Sequence, residues 1–303
     1  MTWDIKLIAL YYWVCDQFET GLNNTVQRYN KNNSTMVLDF TDEEAVTIYL
    51  YGILRQDFEV KKIYNYAHDH LLDWFPTLPS YAKFNERLNR LNPVFEALCQ
   101  RSHQLIAIPD WLIGSQSLID SVVDSMPIIL AIRGRSGSAK VAREIANKGF
   151  CASKGFYYHG LKLHHLGFCV PNTLPKPQSI VLSTAAENDN TVFKEQIAPN
   201  FRNLRVFNDR IYHDQESIET LKENYNIEVM PCQKRKKGQV SLYADQKLFS
   251  TAVSSIKQPV ESFFCWLIRK TGIQVASNVR STKGLLKHIF GRLTAAFLSL
   301  AGF

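Results

Sequence analysis

Two aspartates stand where short apolar runs end. In Leu118-Ile-Asp-Ser-Val-Val-Asp-Ser-Met-Pro127, Asp124 closes the run and Pro127 is expected to stop it; in Leu204-Arg-Val-Phe-Asn-Asp209, Asp209 follows a brief β-like stretch. Carboxylates at strand ends can lean over a sheet edge and share a hard cation, and Mg²⁺ favours one or two carboxylates completed by water and phosphate oxygens. Taken singly, each aspartate is accounted for as a turn former or a helix N-cap. Glu261 is the third candidate, as the only acidic residue after Asp245 in a tail that carries eight lysines and arginines. It sits in Lys257-Gln-Pro-Val-Glu-Ser-Phe-Phe264, where a buried carboxylate would need a metal ion or a lysine beside it. An ion pair with Lys257 four residues back, or a first-turn charge behind Pro259, accounts for it as well.

The cationic residues point to phosphate. Between Ser125 and Ala186 the only acid is Glu144, against eight lysines and arginines. Such a stretch suits a nucleic-acid backbone, although a solvated surface carries similar excesses. In Tyr157-Tyr-His-Gly-Leu-Lys-Leu-His164, strand alternation puts Tyr158, Lys162 and His164 on one face. The lysine disfavours a metal there, so phosphate contact is the functional alternative to ordinary buried or surface histidines. Arg133, Lys162, His164, Lys257, Arg269 and Lys270 are the candidate DNA contacts. Gly134-Arg-Ser-Gly137 lacks the Gly-Lys-Ser/Thr of a nucleotide-binding loop.

The elements that must position these groups fall into two textures. Residues 1–105 read as helices, with Thr41-Asp-Glu-Glu44 as a capping box, a break at Trp74–Pro79, and a helix Tyr81–Cys99 that Ser80 could cap. Lys83, Arg87 and Arg90 form one face of that helix, either for DNA phosphates or for solvent. From about residue 104 short β-like runs alternate with helical ones. Strands are expected at Leu105–Ile108, Gln116–Val123, Ser179–Ser183, Leu204–Phe207 and Ile227–Met230, with a hairpin over Gly155–Val170. Helices are expected at Thr191–Ala198, at Asp214–Asn224 and from Leu242 onward. This is an α/β chain with a mixed sheet and flanking helices behind an all-helical N-terminal region, divided as 1–105 and 106–303.

Charge divides the same way, at −5 over residues 1–80 and +12 over 81–303. The six cysteines have no metal-ligand spacing, which argues against zinc and for reduced thiols in a cytoplasmic protein. Leu7–Val14 is short for a secretory segment, and Lys287, His288 and Arg292 interrupt the apolar run Leu285–Phe303, so no membrane span is expected.

Asp124-Ser-Met-Pro127, Phe156-Tyr-Tyr-His-Gly-Leu-Lys-Leu-His164, Asn208-Asp-Arg-Ile-Tyr212 and Lys257-Gln-Pro-Val-Glu-Ser-Phe-Phe264 occur in that order. Together they resemble the DDE-class transposases of bacterial insertion sequences, over essentially the whole chain. The resemblance implies a ribonuclease-H-like fold whose triad would be Asp124, Asp209 and Glu261. It also implies two Mg²⁺ ions, with Mn²⁺ as a substitute: one activating a water or a DNA 3′-hydroxyl, the other stabilising the leaving oxygen. Its partners would be terminal inverted repeats and target DNA, held by a homodimer. The sequence departs from the Tyr-x₂-Arg-x₃-Glu-x₆-Lys pattern common around the third carboxylate. Those positions read Ser254, Lys257, Glu261 and Ile268, so a route that depends on that signature, such as hairpin formation at the element's end, is in doubt. The alternatives are a ribonuclease-H-like nuclease without strand transfer and an inactive or domesticated DNA-binding derivative.

Overall fold

The computed structural model describes residues 3–22, 39–109, 117–212, 214–233, 235 and 238–303. They form two compact units, Met1–Ala107 with Leu267–Phe303, and Ile108–Trp266. The segment Leu267–Phe303, assigned from the sequence to the catalytic part, thus packs with the helical head.

The first unit is built from α1 (Trp3–Gln17), α2 (Asp42–Leu54), α3 (Val60–His70), α4 (Tyr81–Arg90), α5 (Asn92–Gln104) and α8 (Thr282–Leu300). The capping box is present: the Glu44 N–H donates to Thr41 Oγ1 at 3.2 Å, and the Thr41 N–H donates to the Glu44 carboxylate at 2.7 Å. Thr41→Ala is expected to lower stability by about 1 kcal/mol, read as a shift in the urea midpoint. The single helix expected over Tyr81–Cys99 is two, broken at Leu91, because Pro93 in the first turn of α5 has no N–H to continue the α4 ladder. Ser80 stands at the N-cap of α4 without a side-chain bond. Arg87 does not serve a solvent face: it pairs with Asp42 at 3.4 Å and donates to the Phe40 carbonyl. The strand expected at Leu105–Ile108 is a turn and irregular chain after α5.

Helix α8 packs along α5 and α2 with Leu285, Ile289, Leu293 and Ala296 buried. The polar residues that interrupt its apolar run are buried too, so Lys287, His288 and Arg292 lie inside the unit. Among the described residues no helix is long and apolar enough to cross a membrane.

The second unit is a sheet of β1 (Ile119–Ile132), β2 (Asn147–Cys151), β3 (Phe156–Phe168), β4 (Lys176–Thr184), β5 (Leu204–Asn208) and β6 (Ile227–Pro231). β1 and β3 are antiparallel neighbours along most of their length. The other edge of β3 is shared, with β2 against Phe156–Gly160 and β4 against Leu161–Phe168. β5 joins β1 in parallel, and β6 joins β5 in parallel. Three long antiparallel strands followed by two short parallel ones, flanked by helical segments over 189–200, α6 (Gln215–Tyr225) and α7 (Ala244–Thr271), make a ribonuclease-H-like arrangement.

Two expectations fail here. Pro127 does not end β1, which continues to Ile132; its pairing with β5 stops at Val122↔Phe207, and where only β3 flanks it a proline leaves no ladder bond unmade on the second side. Gly155–Val170 is not a hairpin but the single strand β3, whose turn partner is β4. Gln116, at the start of the strand expected over Gln116–Val123, lies outside the described residues. Gly160 permits the close β1–β3 approach where the register shifts between Ile129 and Ala131, because a Cβ there would stand 1.9 Å from the Ile128 carbonyl oxygen.

Candidate active site

The parallel register of β1 and β5 brings the first two carboxylates together. The last paired residues are Val122 and Phe207, and Asp124 and Asp209 each follow by two. The two-residue period of extended chain keeps Asp124 on the side of Val122, with His165 of β3 directly opposite it. Helix α7 covers this side. It buries Val253, Lys257, Val260 and Phe264 as one helical stripe, and Phe263 stacks on the His165 ring with centroids 4.3 Å apart.

Lys257 therefore occupies a core position of its helix, with its side chain 6% exposed, and its ammonium needs anionic partners. It has two: Nζ lies 3.1 Å from Asp124 Oδ2 and 2.8 Å from Asp209 Oδ1. Asp124 is further held by the Ser125 N–H, which donates to Oδ1 at 2.8 Å. Burial pushes the Asp124 carboxyl above the usual carboxylate range; Lys257 and the Ser125 N–H oppose that shift, and Asp209 adds to it. For Lys257, burial pulls the ammonium down but the two aspartates outweigh it, so its pKa is raised. Two carboxylates and one ammonium leave a net negative charge, with Asp209 56% exposed to what approaches.

Two buried polar groups next to this pair were not foreseen. Neither amide atom of Asn208 has a hydrogen-bond partner among the described residues, nor has the Tyr212 hydroxyl. Burial holds the Tyr212 phenol well above its ordinary value, with Asp189, Asp124 and Asp209 pushing the same way, so the hydroxyl keeps its proton. The sequence signal was the motif Asn208–Tyr212 itself, of which only Asp209 was weighed.

Glu261 is not brought into the cluster. It is exposed on α7, one turn beyond Lys257, without a hydrogen bond or ion pair among the described residues. Among those residues no three histidine, cysteine or acidic side chains gather to hold a metal ion. The donor set still fits one divalent cation: Asp124 and Asp209 already share a cation, both through oxygen, and a hard ion could take the place of the ammonium. It does not fit the three-carboxylate set that the sequence pattern implies.

The candidate phosphate contacts scatter. Lys257 is committed to the aspartates. Lys162 lies on the opposite face of the sheet, where Nζ pairs with Asp189 Oδ1 at 2.7 Å and donates to the Glu187 carbonyl at 2.7 Å, while Ser125 Oγ donates to Asp189 Oδ2 at 3.0 Å. His164 is fully buried, with Nε2 2.8 Å from Ser183 Oγ. Arg133 is exposed, with a left-handed backbone (φ 53°) at the end of β1. Arg269, exposed, and Lys270, half-buried, belong to the first unit.

Burial brings His164 down from an ordinary 6.5 to about 4; Asp189 opposes this and Lys162 adds to it. Between those values the unfolded chain binds a proton that the folded chain refuses, so stability falls as pH drops from about 6.5 towards 4. Urea midpoints across that window should show the slope, and His164→Asn should flatten it; an unchanged slope would remove His164 as its source.

No protein-family model matches the chain, and no curated protein matches it at a significant level. Among solved structures, that of a pre-cleavage Mos1 transpososome is weakly similar, over 90% of this chain and 82% of that one, at 12% identity and a TM-score of 0.21.

Proposed function

We propose that the chain is a DNA-cutting phosphoryl-transfer enzyme of the DDE transposase type, which cleaves at the ends of an insertion sequence and joins them to target DNA. The observation that supports it most is the pairing of Asp124 and Asp209 at one register point of a ribonuclease-H-like sheet, around a shared cation. Asp124 and Asp209 would hold Mg²⁺ or Mn²⁺, which when bound supplies charge neutralisation at the phosphate and a more acidic attacking hydroxyl. Asp124, fixed by the Ser125 N–H, sets the position of the site; Asp209, open to solvent, faces the substrate. The Lys257 ammonium offsets part of the pair's charge while no metal is bound and, once released, can meet a phosphate oxygen. Glu261 would complete the triad only if α7 turned or shifted towards the aspartates. Two DNA ends must be held together for joining, so a homodimer on terminal inverted repeats is part of the proposal.

The placement of Glu261 outside the cluster favours one alternative, a non-catalytic DNA-binding derivative. The deciding experiment is a cleavage assay on a plasmid carrying the gene with its native flanking DNA, with Mg²⁺ and with chelator. Breaks that map to the two flanks and need Mg²⁺ support the transposase; binding without cutting supports the derivative.

A further inference from the structure

The first unit contains a cluster of cations that the proposed chemistry does not use. Lys287, His288 and Arg292 of α8 are each about 5% exposed. Two of them are satisfied internally. Arg292 donates to the carbonyls of Thr271 and Phe58, and its Nε donates to His288 Nδ1 at 3.1 Å. The His288 Nε2–H donates to the Ile273 carbonyl at 2.9 Å, so the imidazole is neutral and its Nδ1 is the acceptor. Burial, with Arg292 and Lys287 adding to it, holds His288 well below its ordinary pKa.

Lys287 is different. Its only partner among the described residues is the face of the Tyr49 ring, 5.5 Å from Nζ. A buried ammonium with neither an anion nor a hydrogen-bond acceptor is costly, and a ring face offsets only part of that. Its side chain lines a cavity of about 430 Å³. The same cavity is lined by Arg292 and by the exposed Lys61 and Arg280, with Glu59 as the only acid among its described lining residues, and Glu59 is paired with Lys62 at 3.3 Å. Ser281, the N-cap of α8, and Gly284 also line it; the Gly284 N–H donates to Ser281 Oγ at 3.1 Å, and the positive dipole end of a 19-residue helix opens there.

We infer that this cavity is a phosphate site, in which an oxyanion seats against Lys287 Nζ and the amino end of α8, with Lys61 and Arg280 at the rim. The phosphoryl group could belong to a DNA backbone, which rests on the proposed function, or to a free phosphate, which does not. Burial and the neighbouring Arg292 already bring the Lys287 ammonium down to about 8, as expected of a cation waiting for its counter-charge.

The test uses the full chain and Lys287→Met, which keeps the length of the side chain and removes a desolvated charge. Inorganic phosphate should raise the melting temperature of the wild type above that in KCl of equal ionic strength, and should not do so for Lys287→Met. DNA affinity is then measured against salt. If the phosphate is part of a DNA backbone, Lys287→Met lowers the slope of log K against log[salt] by about 0.9. An unchanged slope with a phosphate-dependent shift assigns the site to a free phosphate group. No shift in the wild type beyond KCl, or an equal shift in the variant, overturns the site. Should Lys287→Met fail to fold, Lys61→Gln combined with Arg280→Gln, both on exposed residues, must weaken the phosphate response, and an unweakened one overturns the site. None of these readouts requires cutting or a divalent metal, so this inference and the transposase proposal can fail separately.

Discussion

Asp209→Asn is expected to abolish Mg²⁺-dependent cutting, by about a thousandfold or more, while leaving DNA binding intact or slightly tighter. Asparagine keeps the shape of the side chain but loses the charge that would draw a divalent ion to the end of β5, and a loss on the order of 4 kcal/mol in transition-state stabilisation is a thousandfold in rate. The fold should tolerate the change. Asp209 is 56% exposed, and Lys257 keeps its pair with Asp124 at 3.1 Å, so the melting temperature should hardly move. Removing one negative charge near the substrate path also lessens repulsion of the phosphate backbone. The measurement is nicking of plasmid bearing the flanking DNA, run beside a gel-shift titration and a thermal melt. A variant that cuts as fast as the wild type would show that the paired aspartates are not where the chemistry happens.

Lys257→Met should act in the opposite sense on metal. In the metal-free protein it strips the shared cation from two carboxylates, one of them largely buried. Breaking a fully buried pair costs about 3–5 kcal/mol, but Asp209 is open to water and can relax, so the loss here should be nearer ~2 kcal/mol. That corresponds to a drop in melting temperature of roughly 4–8 °C in a domain of this size. Divalent metal no longer has an ammonium to displace, so Mn²⁺ should bind about tenfold tighter, which is ~1.4 kcal/mol. Adding Mn²⁺ or Mg²⁺ should recover the lost stability by mass action. Mn²⁺ titrations followed by electron paramagnetic resonance, paired with melts in chelator and in metal, check both halves. Unchanged metal affinity would mean that Lys257 and the cation do not compete for the same oxygens.

The class of the fold was legible because its signals are local. The capping box, the switch from helical to alternating pattern near residue 104, and the short strands at 204 and 227 each lie within a few residues of sequence. The errors came from long-range geometry. Pro127 reads as a strand terminator, yet it is tolerated because β5 is too short to flank β1 that far. Gly155–Val170 reads as a hairpin, whereas its glycine at 160 serves a close approach of two backbones within one continuous strand. In the candidate site, the two aspartates could be named from their strand-end contexts, but their adjacency depends on a register that no local pattern encodes. Lys257 was visible in principle: it falls on the apolar stripe of α7 between Val253 and Val260, and a lysine in such a place requires anions to meet it. The sequence offers it Glu261, its nearest acid along the chain, or a DNA phosphate, whereas its partners lie at the ends of two distant strands.

The helical unit closes on a segment that the ribosome delivers after the entire sheet. Its N-terminal helices emerge first, yet α8, which buries Leu285, Ile289 and Leu293 against α5 and α2, is separated from them in sequence by all of residues 108–266. At about 5–20 residues per second, that interval is several seconds or more during which an apolar surface waits uncovered on the nascent chain. The sheet unit has no such delay, because its whole chain, Ile108–Trp266, is contiguous. Synthesis therefore supplies the carboxylate-bearing sheet before the helical unit can finish, and a chain that stops short of Thr282 would expose the faces of α2 and α5 to chaperones and proteases.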